Sequence, residues 1–474
     1  MAQTNTADYL CAEHAPVQNE IDADDLTVLG ELPREMNGVF LRNSPNPRWP
    51  PVGRYHWFDG DGMVHGVYLE GGRACYRNRY IRTAGWQKEE QAGRALWSGI
   101  MEPPAVKPPQ PPLKDTANTD LVWHQGRLLA LWWLSGKPYE LDRNTLQTLG
   151  VCAFGGSYGG TSSAGASSSC TMASHPKIDP NSGEMVFFHY NVVRAPYLHV
   201  GVVSAGGRVV HHTPIALPRP HILHDIAITP THTILLDMPL GWASRGAGRR
   251  ISFARDVPAR FGVMPRFGVD ADVRWFEAEP CYVFHTIAAL HEGDAVVLTA
   301  CKVADPLPAV PTGASTVPRL DAVELAPRLH RWRLDLATGL VREEALDDRG
   351  AEFPRVNPAR LTNGVRYCYC GLLAPRRTVM FEGVVKYDLA HGGAQVHRFA
   401  PGWFGGESVF VPRPQGVDED DGWVVTAISH VEYDRCELVI LDAKNLAAPS
   451  PLARVVLPQR IPIGFHATWL PASA

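Results

Sequence analysis

Four histidines of this chain lie in settings where they could do chemistry. His224 is part of "HILHDIAIT", three residues after His221 and directly before a carboxylate. His175, His285 and His466 lie in "ASHPKIDPNSGEM", "CYVFHTIAAL" and "IPIGFHATWLP", each where an apolar stretch meets a loop. Imidazole binds iron, copper, zinc and nickel, so four such side chains brought together would hold a transition metal. Their spacing matches no local ligand pattern such as HExxH, and an ordinary buried histidine is the more usual alternative at each position.

The elements that would have to position these histidines are β-strands. "MVHGVYLE" and "RACYRNRYIRT" flank Gly71-Gly72 and predict a hairpin, and "LVWHQGRLLALWW" predicts another that turns at Gln125-Gly126. Short segments rich in Val, Leu, Ile and aromatic residues, such as "EMVFFHYNVV", continue to the C-terminus with few amphipathic helices. A series of this length predicts an all-β protein and favours a β-propeller, in which strand ends converge on one axis.

Composition narrows the partners. The chain has 45 basic and 49 acidic residues among 474, a net charge of −4, so nothing predicts nucleic acid as a partner. The basic cluster "SRGAGRR" (244–250) is interpreted as a solvated loop. The segment "MEPPAVKPPQPPLKD" (101–115) predicts an extended connector, and the Gly/Ser-rich segment 155–170 predicts a loop without a phosphate-binding pattern.

Cysteine usage and the N-terminus favour a cytoplasmic protein. The nine cysteines are scattered without a CxxC pair, which indicates reduced thiols. The first residues include acidic side chains and no apolar core, unlike a secretory signal. No run of 18 apolar residues occurs, so we expect no transmembrane segment. We interpret residues 1–474 as one domain with an irregular N-terminal segment at 1–25.

Nine motifs carry a resemblance to a known family. They run in order from about residue 37 to residue 470: "GVFLRNSPNPRW", "YHWFDGDGMVHG", "NRYIRT", "ASHPKIDPNSGEM", "LHDIAIT", "CYVFHTIAALHEGD", "EFPRVNP", "GGESVFVPR" and "GFHATWLP". Their number, length and order resemble those of the carotenoid cleavage oxygenase family. The resemblance implies a seven-bladed β-propeller with a dome of loops and short helices covering the iron face.

The resemblance also implies a metal and its ligands. Family members hold a non-haem Fe(II) on the propeller axis with four histidines, which map onto His175, His224, His285 and His466. His221 falls outside the motif, so His224 is the ligand candidate in the opening stretch. Five further histidines have no ligand role in the family pattern: His56, His65, His189, His291 and His430.

Carboxylates of the family receive the outer N–H groups of ligand histidines, which fixes ring orientation and tautomer. Glu352 in "EFPRVNP" and Glu407 in "GGESVFVPR" match two such positions. At the third position relatives have a glutamate, whereas "LALWWLSGKPYELD" places Leu134 there. One ligand histidine is therefore expected to lack a carboxylate partner, or to use water or a backbone carbonyl. No separate catalytic acid or base is predicted beyond the metal ligands.

The activity implied is Fe(II)- and O₂-dependent cleavage of one C=C bond in a lipophilic alkene, which gives two carbonyl products. In relatives that cleave phenolic stilbenes or phenylpropenes, a tyrosine or phenylalanine lies near the position of Trp97. A Lys-Glu pair in those relatives matches Trp133-Leu134. We predict that Trp97, Trp133 and Leu134 line the substrate pocket, and the missing lysine favours a carotenoid or apocarotenoid substrate.

Three alternatives stay open from the sequence. The first is cleavage of a stilbenoid or phenylpropenoid alkene of the vinylphenol type. The second is an isomerase-type relative, and the third is a propeller that binds without catalysis. Peripheral membrane contact is also compatible with the sequence, because family members often take lipophilic substrates from membranes.

Overall fold

The computed structural model describes residues 9–100, 102–107, 110–157, 171–245, 248–307, 325–376 and 378–472, and it is an all-β structure, as the sequence predicts. The predicted Gly/Ser-rich loop from residue 158 onward and the side chains of the basic cluster 244–250 lie outside the described residues. Residues 102–107 and 110–115 of the predicted connector contain no helix or strand. The eight cysteines among the described residues are free thiols.

The strands are short and follow one another along the chain. The first sixteen are β1 (Asp22–Ala23), β2 (Val28–Gly30), β3 (Gly38–Pro45), β4 (Gly62–Glu70), β5 (Arg73–Tyr80), β6 (Asp120–His124), β7 (Arg127–Leu131), β8 (Tyr139–Leu141), β9 (Thr148–Val151), β10 (Lys177–Ile178), β11 (Met185–Tyr190), β12 (Leu198–Val203), β13 (Val209–Ile215), β14 (Ile226–Ile228), β15 (His232–Asp237) and β16 (Leu240–Arg245). The others are β17 (Gly248–Phe253), β18 (Ala259–Pro265), β19 (Arg274–Ala278), β20 (Tyr282–Glu292), β21 (Ala295–Val303), β22 (Arg328–Asp335), β23 (Val341–Ala345), β24 (Ala351–Val356), β25 (Tyr367–Leu373), β26 (Phe381–Asp388), β27 (Ala394–Arg398), β28 (Trp403–Pro412), β29 (Gly422–His430), β30 (Cys436–Asp442), β31 (Ala453–Val456) and β32 (Ala467–Pro471).

Helices are few among the described residues. The α-helix α1 spans Ala84–Ala92, with the Thr83 hydroxyl accepting from Trp86 N at its start and Gly93 in the left-handed conformation at its end. Short 3₁₀ turns are formed by Ala12–His14, Trp57–Asp59, Phe154–Gly156, Asp270–Asp272 and Pro358–Arg360. None of the helices described has the length and apolar character needed to cross a membrane.

Two hairpins occur where the sequence predicts them. The turn between β4 and β5 places Gly71 and Gly72 at φ 58° and 86°. The turn between β6 and β7 places Gln125 and Gly126 at φ 53° and 74°. Positive φ at both central residues matches the right-handed twist of the flanking strands, and glycine adopts it without a steric penalty.

The strands pair antiparallel in sheets whose orders are β1-β5-β4-β3-β32, β6-β7-β8-β9, β10-β11-β12-β13, β14-β15-β18-β19, β20-β21-β22-β23 and the hairpin β16-β17. A nine-stranded sheet runs β2-β31-β30-β29-β28-β26-β25-β24, with β27 beside β26. One residue pair, Phe381 with Gly405, joins β26 to β28, so this sheet consists of two groups of strands. Outside the hairpin, the described strands thus form seven groups.

The hydrophobic core lies between successive groups. Leu41 of β3 shares a cluster with Leu128 of β7, and Leu129 of β7 shares one with Phe187 of β11. The largest cluster continues through β12, β15 and β21, and further clusters connect β21 with β25 and β25 with β29. The last cluster brings Leu438 of β30 against Phe40 of β3. Each group therefore packs against the next, and the last packs against the first.

Of the N-terminal segment 1–25, the structure describes residues 9–25. Residues 9–25 contain the turn Ala12–His14 and the two-residue strand β1, which pairs with β5. The chain end also contributes to the first sheet, because β32 pairs with β3. Both ends of the described chain are thus tied to strands from the first hundred residues.

Candidate metal centre and adjoining cavity

The structure brings the four predicted histidines together. The ring centroid of His175 lies 5.0 Å from that of His224, 5.1 Å from that of His285 and 4.5 Å from that of His466. The centroids of His285 and His466 are 4.8 Å apart, and those of His224 and His285 are 5.2 Å apart. All four side chains are buried. Ligand atoms of three of them, His175, His285 and His466, lie within 4.8 Å of one another, and His224 stands slightly outside this set.

Local backbone geometry aims these rings at one point. His175, His224 and His466 lie one or two residues before β10, β14 and β32, each of which is the end strand of its sheet. His175 has a φ of 69°, which a non-glycine residue adopts only when its surroundings impose it. His285 lies inside β20, between the paired residues Val283 and Thr286, where the register shifts. A register shift of this kind changes the direction in which a side chain leaves the strand, compared with regular strand pairing.

Glu352 borders a register shift of the same kind, and Glu407 lies within one. The shift in β24 falls between Glu352 and Arg355, and that in β28 falls between Gly405 and Ser408. Nδ1–H of His285 donates to Oε2 of Glu352 at 2.6 Å, and Nδ1–H of His466 donates to Oε1 of Glu407 at 3.0 Å. These contacts leave Nε2 of both rings free to face the centre of the cluster.

Glu407 is held in place by two further donors. The backbone N–H of Ala467 donates to its Oε2 at 2.5 Å, and the Arg355 guanidinium donates to the same oxygen at 2.9 Å. Burial raises the pKa of Glu407, but Arg355 and His466 outweigh it and lower the pKa to about 2. Glu407 is therefore an anion at neutral pH. Arg355, in the motif "EFPRVNP", is a residue for which sequence reasoning assigned no role.

His175 has a carboxylate neighbour that the sequence did not predict. Asp120 Oδ2 lies 3.5 Å from His175 Nδ1, and Asp120 Oδ1 lies 3.8 Å from the Arg355 guanidinium. Asp120 is the first residue of β6 and follows the "NT" pair of its segment. Nothing in its local sequence distinguishes it from other buried carboxylates.

Asp225 ties three of the histidine segments together. It directly follows His224, and its Oδ1 lies 2.7 Å from Lys177 Nζ, two residues after His175. Its Oδ2 accepts from both N and Oγ1 of Thr286, the residue after His285, at 2.7 and 2.8 Å. Asp225 is almost fully buried. The carboxylate in "HILHDIAIT" thus connects the three loops and strands, and its position beside His224 was the available sequence signal.

Burial keeps most of these rings neutral. It lowers the pKa of His175 and of His224 well below the usual value, and the neighbouring histidines lower both further. Burial also lowers the pKa of His466, which Glu407 only partly offsets. For His285 the effect of burial is outweighed by Glu352, whose charge and hydrogen bond raise the pKa. Neutral imidazole is the form that binds a metal.

His224 differs from the other three. Within the described ranges, no hydrogen bond involves either of its ring nitrogens, whereas His285 and His466 each have a glutamate. Leu134, which stands where relatives have a glutamate, is half-buried and packs against the large hydrophobic cluster. This arrangement agrees with the expectation that one ligand histidine lacks a carboxylate.

An apolar cavity adjoins the histidine cluster. His224, His285 and His466 contribute to its wall. Its other walls are mainly aromatic: Trp57, Phe58, Trp133, Phe284, Phe353 and Phe465. Among the described residues that line it, none is a lysine, an arginine or a tyrosine. The cavity therefore suits an apolar ligand placed beside the histidines.

The three residues predicted to line the substrate pocket, Trp97, Trp133 and Leu134, do not line one cavity in the structure. Trp133 lines the apolar cavity, and its ring lies 5.0 Å from that of Phe58. Trp97 lines a neighbouring cavity instead, where its Nε1–H donates to Pro111 O at 2.9 Å, and Leu134 lines neither. His221 lies outside the cluster, with Nδ1–H donating to Asp237 Oδ1 at 2.6 Å.

Comparison with known proteins identifies the relatives of this chain. The family profile described as retinal pigment epithelial membrane protein (RPE65) matches residues 14–471. Carotenoid 9,10(9',10')-cleavage dioxygenase 1 of Pisum sativum is 34% identical over 502 positions, covering 98% of this chain and 90% of that protein. The crystal structure of Pseudomonas brassicacearum lignostilbene dioxygenase is similar with a TM-score of 0.87 and 28% identity over 99% of both chains. That of a cobalt-substituted Synechocystis apocarotenoid oxygenase has a TM-score of 0.83 and 28% identity, covering 96% of this chain and 97% of that one.

An all-β fold with a buried histidine cluster beside an apolar cavity is typical of metal-dependent dioxygenases of this structural class. The chain belongs to the RPE65 family, the family of the carotenoid cleavage oxygenases. The resemblance carried by the nine sequence motifs is thereby confirmed.

Proposed function

We propose that this protein is an Fe(II)- and O₂-dependent dioxygenase that cleaves one C=C bond of a carotenoid or apocarotenoid into two carbonyl products. The observation that carries the proposal is the opening of an aromatic cavity onto three rings of the histidine cluster. The carotenoid cleavage dioxygenase of Pisum sativum supports it through 34% identity over nearly the whole chain. An alkene in this cavity would lie beside the metal without needing to bind it.

The histidine cluster fits a divalent transition metal. The Nε2 atoms of His175 and His285 are buried and have no hydrogen-bond partner. Burial without a partner is costly for a polar atom, and a metal ion would remove that cost. We assign His175, His224, His285 and His466 as the ligands. Imidazole ligands suit Fe(II), which when bound would supply the activation of O₂.

The protein's own residues provide position and exclusion of water. Glu352 and Glu407 hold the rings of His285 and His466 through Nδ1, so that Nε2 faces the centre. The ring centroid of Phe353 lies 4.9 Å from that of His285 and 5.0 Å from that of His466, and Phe465 lines the same cavity. The aromatic walls exclude water and hold an extended alkene in one orientation, which lowers the entropy cost of the reaction. No side chain is assigned as a separate acid or base.

We also propose that the seven groups of strands are the blades of a propeller. Two observations support this: the core passes from each group to the next, and the last group packs against the first. The cavity walls Trp57, Phe58, Phe465 and Leu325 lie outside the strands, as a dome of loops and short helices over the iron face requires. The axis would then pass through the histidine cluster. We further propose that the chain forms one domain and that the protein is cytoplasmic. We also propose that it takes its substrate from a lipid surface.

A second candidate is cleavage of a stilbenoid or phenylpropenoid alkene. The TM-score of 0.87 with a lignostilbene dioxygenase favours it. Against it, a phenolate would meet no cation among the described cavity residues. The family resemblance also implies that Trp133 stands where phenol-cleaving relatives have a lysine. We therefore rank the carotenoid class first.

Product analysis tests the proposal. The iron-loaded protein is incubated under O₂ with β-carotene, an apocarotenal, resveratrol and isoeugenol, and the carbonyl products are identified by mass spectrometry. We expect two carbonyl fragments from the apocarotenal, and none with the His224→Ala variant. Cleavage of the phenolic alkenes alone would contradict the carotenoid assignment. A geometric isomer without cleavage would indicate an isomerase, and no reaction with full iron would indicate a binding protein.

A further inference from the structure

A second cavity lies behind the wall of the apolar one. We call it the polar chamber, and its lining includes Asp59, Asp61, Lys114 and Thr116. Phe58 lines both cavities, and the consecutive residues Trp132 and Trp133 divide between them: Trp132 lines the polar chamber and Trp133 lines the apolar cavity. The two cavities are therefore neighbours that share Phe58 as a wall residue.

The polar chamber contains hydrogen-bond donors that the protein does not use. Nε1 of Trp132, Nε1 of Trp49 and Oγ1 of Thr116 are buried and have no partner among the described residues. Trp132 and Thr116 are 8% and 2% exposed. An unpaired buried donor costs about 1–3 kcal/mol, so such groups in one cavity point to a ligand that accepts hydrogen bonds. An indole N–H can only donate, so the ligand atom must be an acceptor.

The charges of the polar chamber oppose an anionic ligand. Lys114 Nζ lies 2.8 Å from Asp61 Oδ1 and 2.6 Å from Glu89 Oε2, so one ammonium group is shared by two carboxylates. Arg54, at the same cavity, pairs with Glu102 at 2.6 Å. A carboxylate or phenolate placed there would meet paired cations and an excess of negative charge. A neutral oxygen would escape that repulsion.

We propose that the polar chamber binds the neutral oxygenated end of the substrate, an aldehyde, ketone or hydroxyl oxygen, with Nε1–H of Trp132 as the principal donor. This inference rests on the proposed function, because it places the rest of the same alkene in the apolar cavity. It narrows the substrate from carotenoids in general to apocarotenoids with a neutral oxygen at one end. Trp132 is then a residue that determines specificity, distinct from Trp133.

The test removes the indole N–H of Trp132 while an aromatic ring is kept at that position. The variants are Trp132→Phe and Thr116→Val, and the matched control is Trp86→Phe. The Nε1 of Trp86 is also buried and unpaired, but Trp86 lies on α1 and lines neither cavity. The probes are β-apo-8'-carotenal, the acid with the same polyene, and β-carotene. Their dissociation constants are measured on the iron-loaded protein without O₂, followed by ligand absorbance.

We expect the wild type to bind the aldehyde more tightly than the acid. The Trp132→Phe change should weaken aldehyde binding roughly 2- to 12-fold, the equivalent of one neutral hydrogen bond, and leave β-carotene binding unchanged. The Trp86→Phe control should leave the preference for the aldehyde unaltered. Three results would each overturn the proposal. They are equal weakening of aldehyde and hydrocarbon binding, no weakening of binding in either Trp132→Phe or Thr116→Val, and tight binding of the acid.

Aerobic turnover separates the two proposals. If Trp132→Phe selectively loses aldehyde binding but the wild type cleaves no alkene, the proposed role of the polar chamber stands and the dioxygenase assignment is rejected. Cleavage of the apocarotenal with the same kcat/KM in wild type and Trp132→Phe would sustain the dioxygenase and reject the polar chamber. If Trp132→Phe does not fold, Thr116→Val decides by the same comparison.

Discussion

Oε2 of Glu352 lies 2.6 Å from Nδ1 of His285, and the two residues come from different strands, β24 and β20, at a register shift in each. The N–H of Phe353 also donates to this carboxylate oxygen. Glu352 therefore fixes the ring plane and the tautomer of His285, which leaves Nε2 for a metal.

The first prediction concerns this pair. Glu352→Gln should weaken iron affinity roughly 10–100-fold, because the amide neither carries the charge nor orients the ring as strongly. Iron affinity is measured by competition with a chelator. Glu343→Gln is the matched control. Glu343 likewise accepts from a histidine, His330, at 2.8 Å and pairs with Lys302, but neither partner belongs to the histidine cluster. Equal iron affinity in wild type and Glu352→Gln would show that Glu352 does not support the metal site.

The second prediction concerns the ligand set. Ala at His175, His224, His285 or His466 should remove most iron and most activity, because each change leaves an incomplete site. His221→Ala should retain both, since His221 is held by Asp237. Elemental analysis gives the iron content, and the rise in unfolding temperature on adding iron gives an independent readout. A His224→Ala protein with full iron would reduce the site to the three closest rings.

The third prediction concerns Asp225. Asp225→Asn should lower stability by roughly 3–5 kcal/mol, because it leaves Lys177 without its anionic partner, and should also weaken iron binding by displacing Thr286. Asp420→Asn is the control, since Asp420 pairs with the buried Lys386 at 2.6 Å. Denaturant titration should show a loss for both variants, and chelator competition should show a loss for Asp225→Asn only. Unchanged iron affinity in Asp225→Asn would limit its role to stability.

The fourth prediction concerns pH. Burial, with a contribution from Arg42, lowers the pKa of His65 to about 3. The unfolded chain takes up that proton near pH 6.5 and the folded chain does not, so stability is present above about pH 6.5 and is lost as the pH falls toward about 3. His65→Gln should reduce the loss between about pH 6 and pH 4.5 by roughly 1–2 kcal/mol. Urea titrations at both pH values test this, with the exposed His391→Gln as control. An identical slope in wild type and His65→Gln would contradict it.

The fifth prediction concerns substrate class. Trp133→Lys should shift kcat/KM toward a phenolic alkene such as resveratrol and away from an apocarotenal, since it introduces a cation into an apolar wall. The expected change in the ratio is about 5- to 150-fold, the equivalent of pairing one buried phenol oxygen. Competition kinetics with both substrates measure it. A wild-type preference for the phenol would overturn the carotenoid ranking while leaving the metal site intact.

The sequence by itself determined the all-β class, the two hairpins at Gly71-Gly72 and Gln125-Gly126, and the histidines that cluster. Turn chemistry and strand periodicity are local, because they depend on φ preferences and on alternation along a few residues. The histidines and Glu352 and Glu407 came from a family resemblance, since residues as far apart as 175 and 466 have no spacing that links them.

The tertiary structure decided which side chains meet. Asp120 beside His175, Asp225 between Lys177 and Thr286, and the separation of Trp97 from Trp133 all depend on how distant strands pack. The register shifts that turn His285, Glu352 and Glu407 toward the centre are likewise invisible in a pattern of alternating residues. A shift depends on pairing with another strand, and pairing partners are set by the fold rather than by the local sequence.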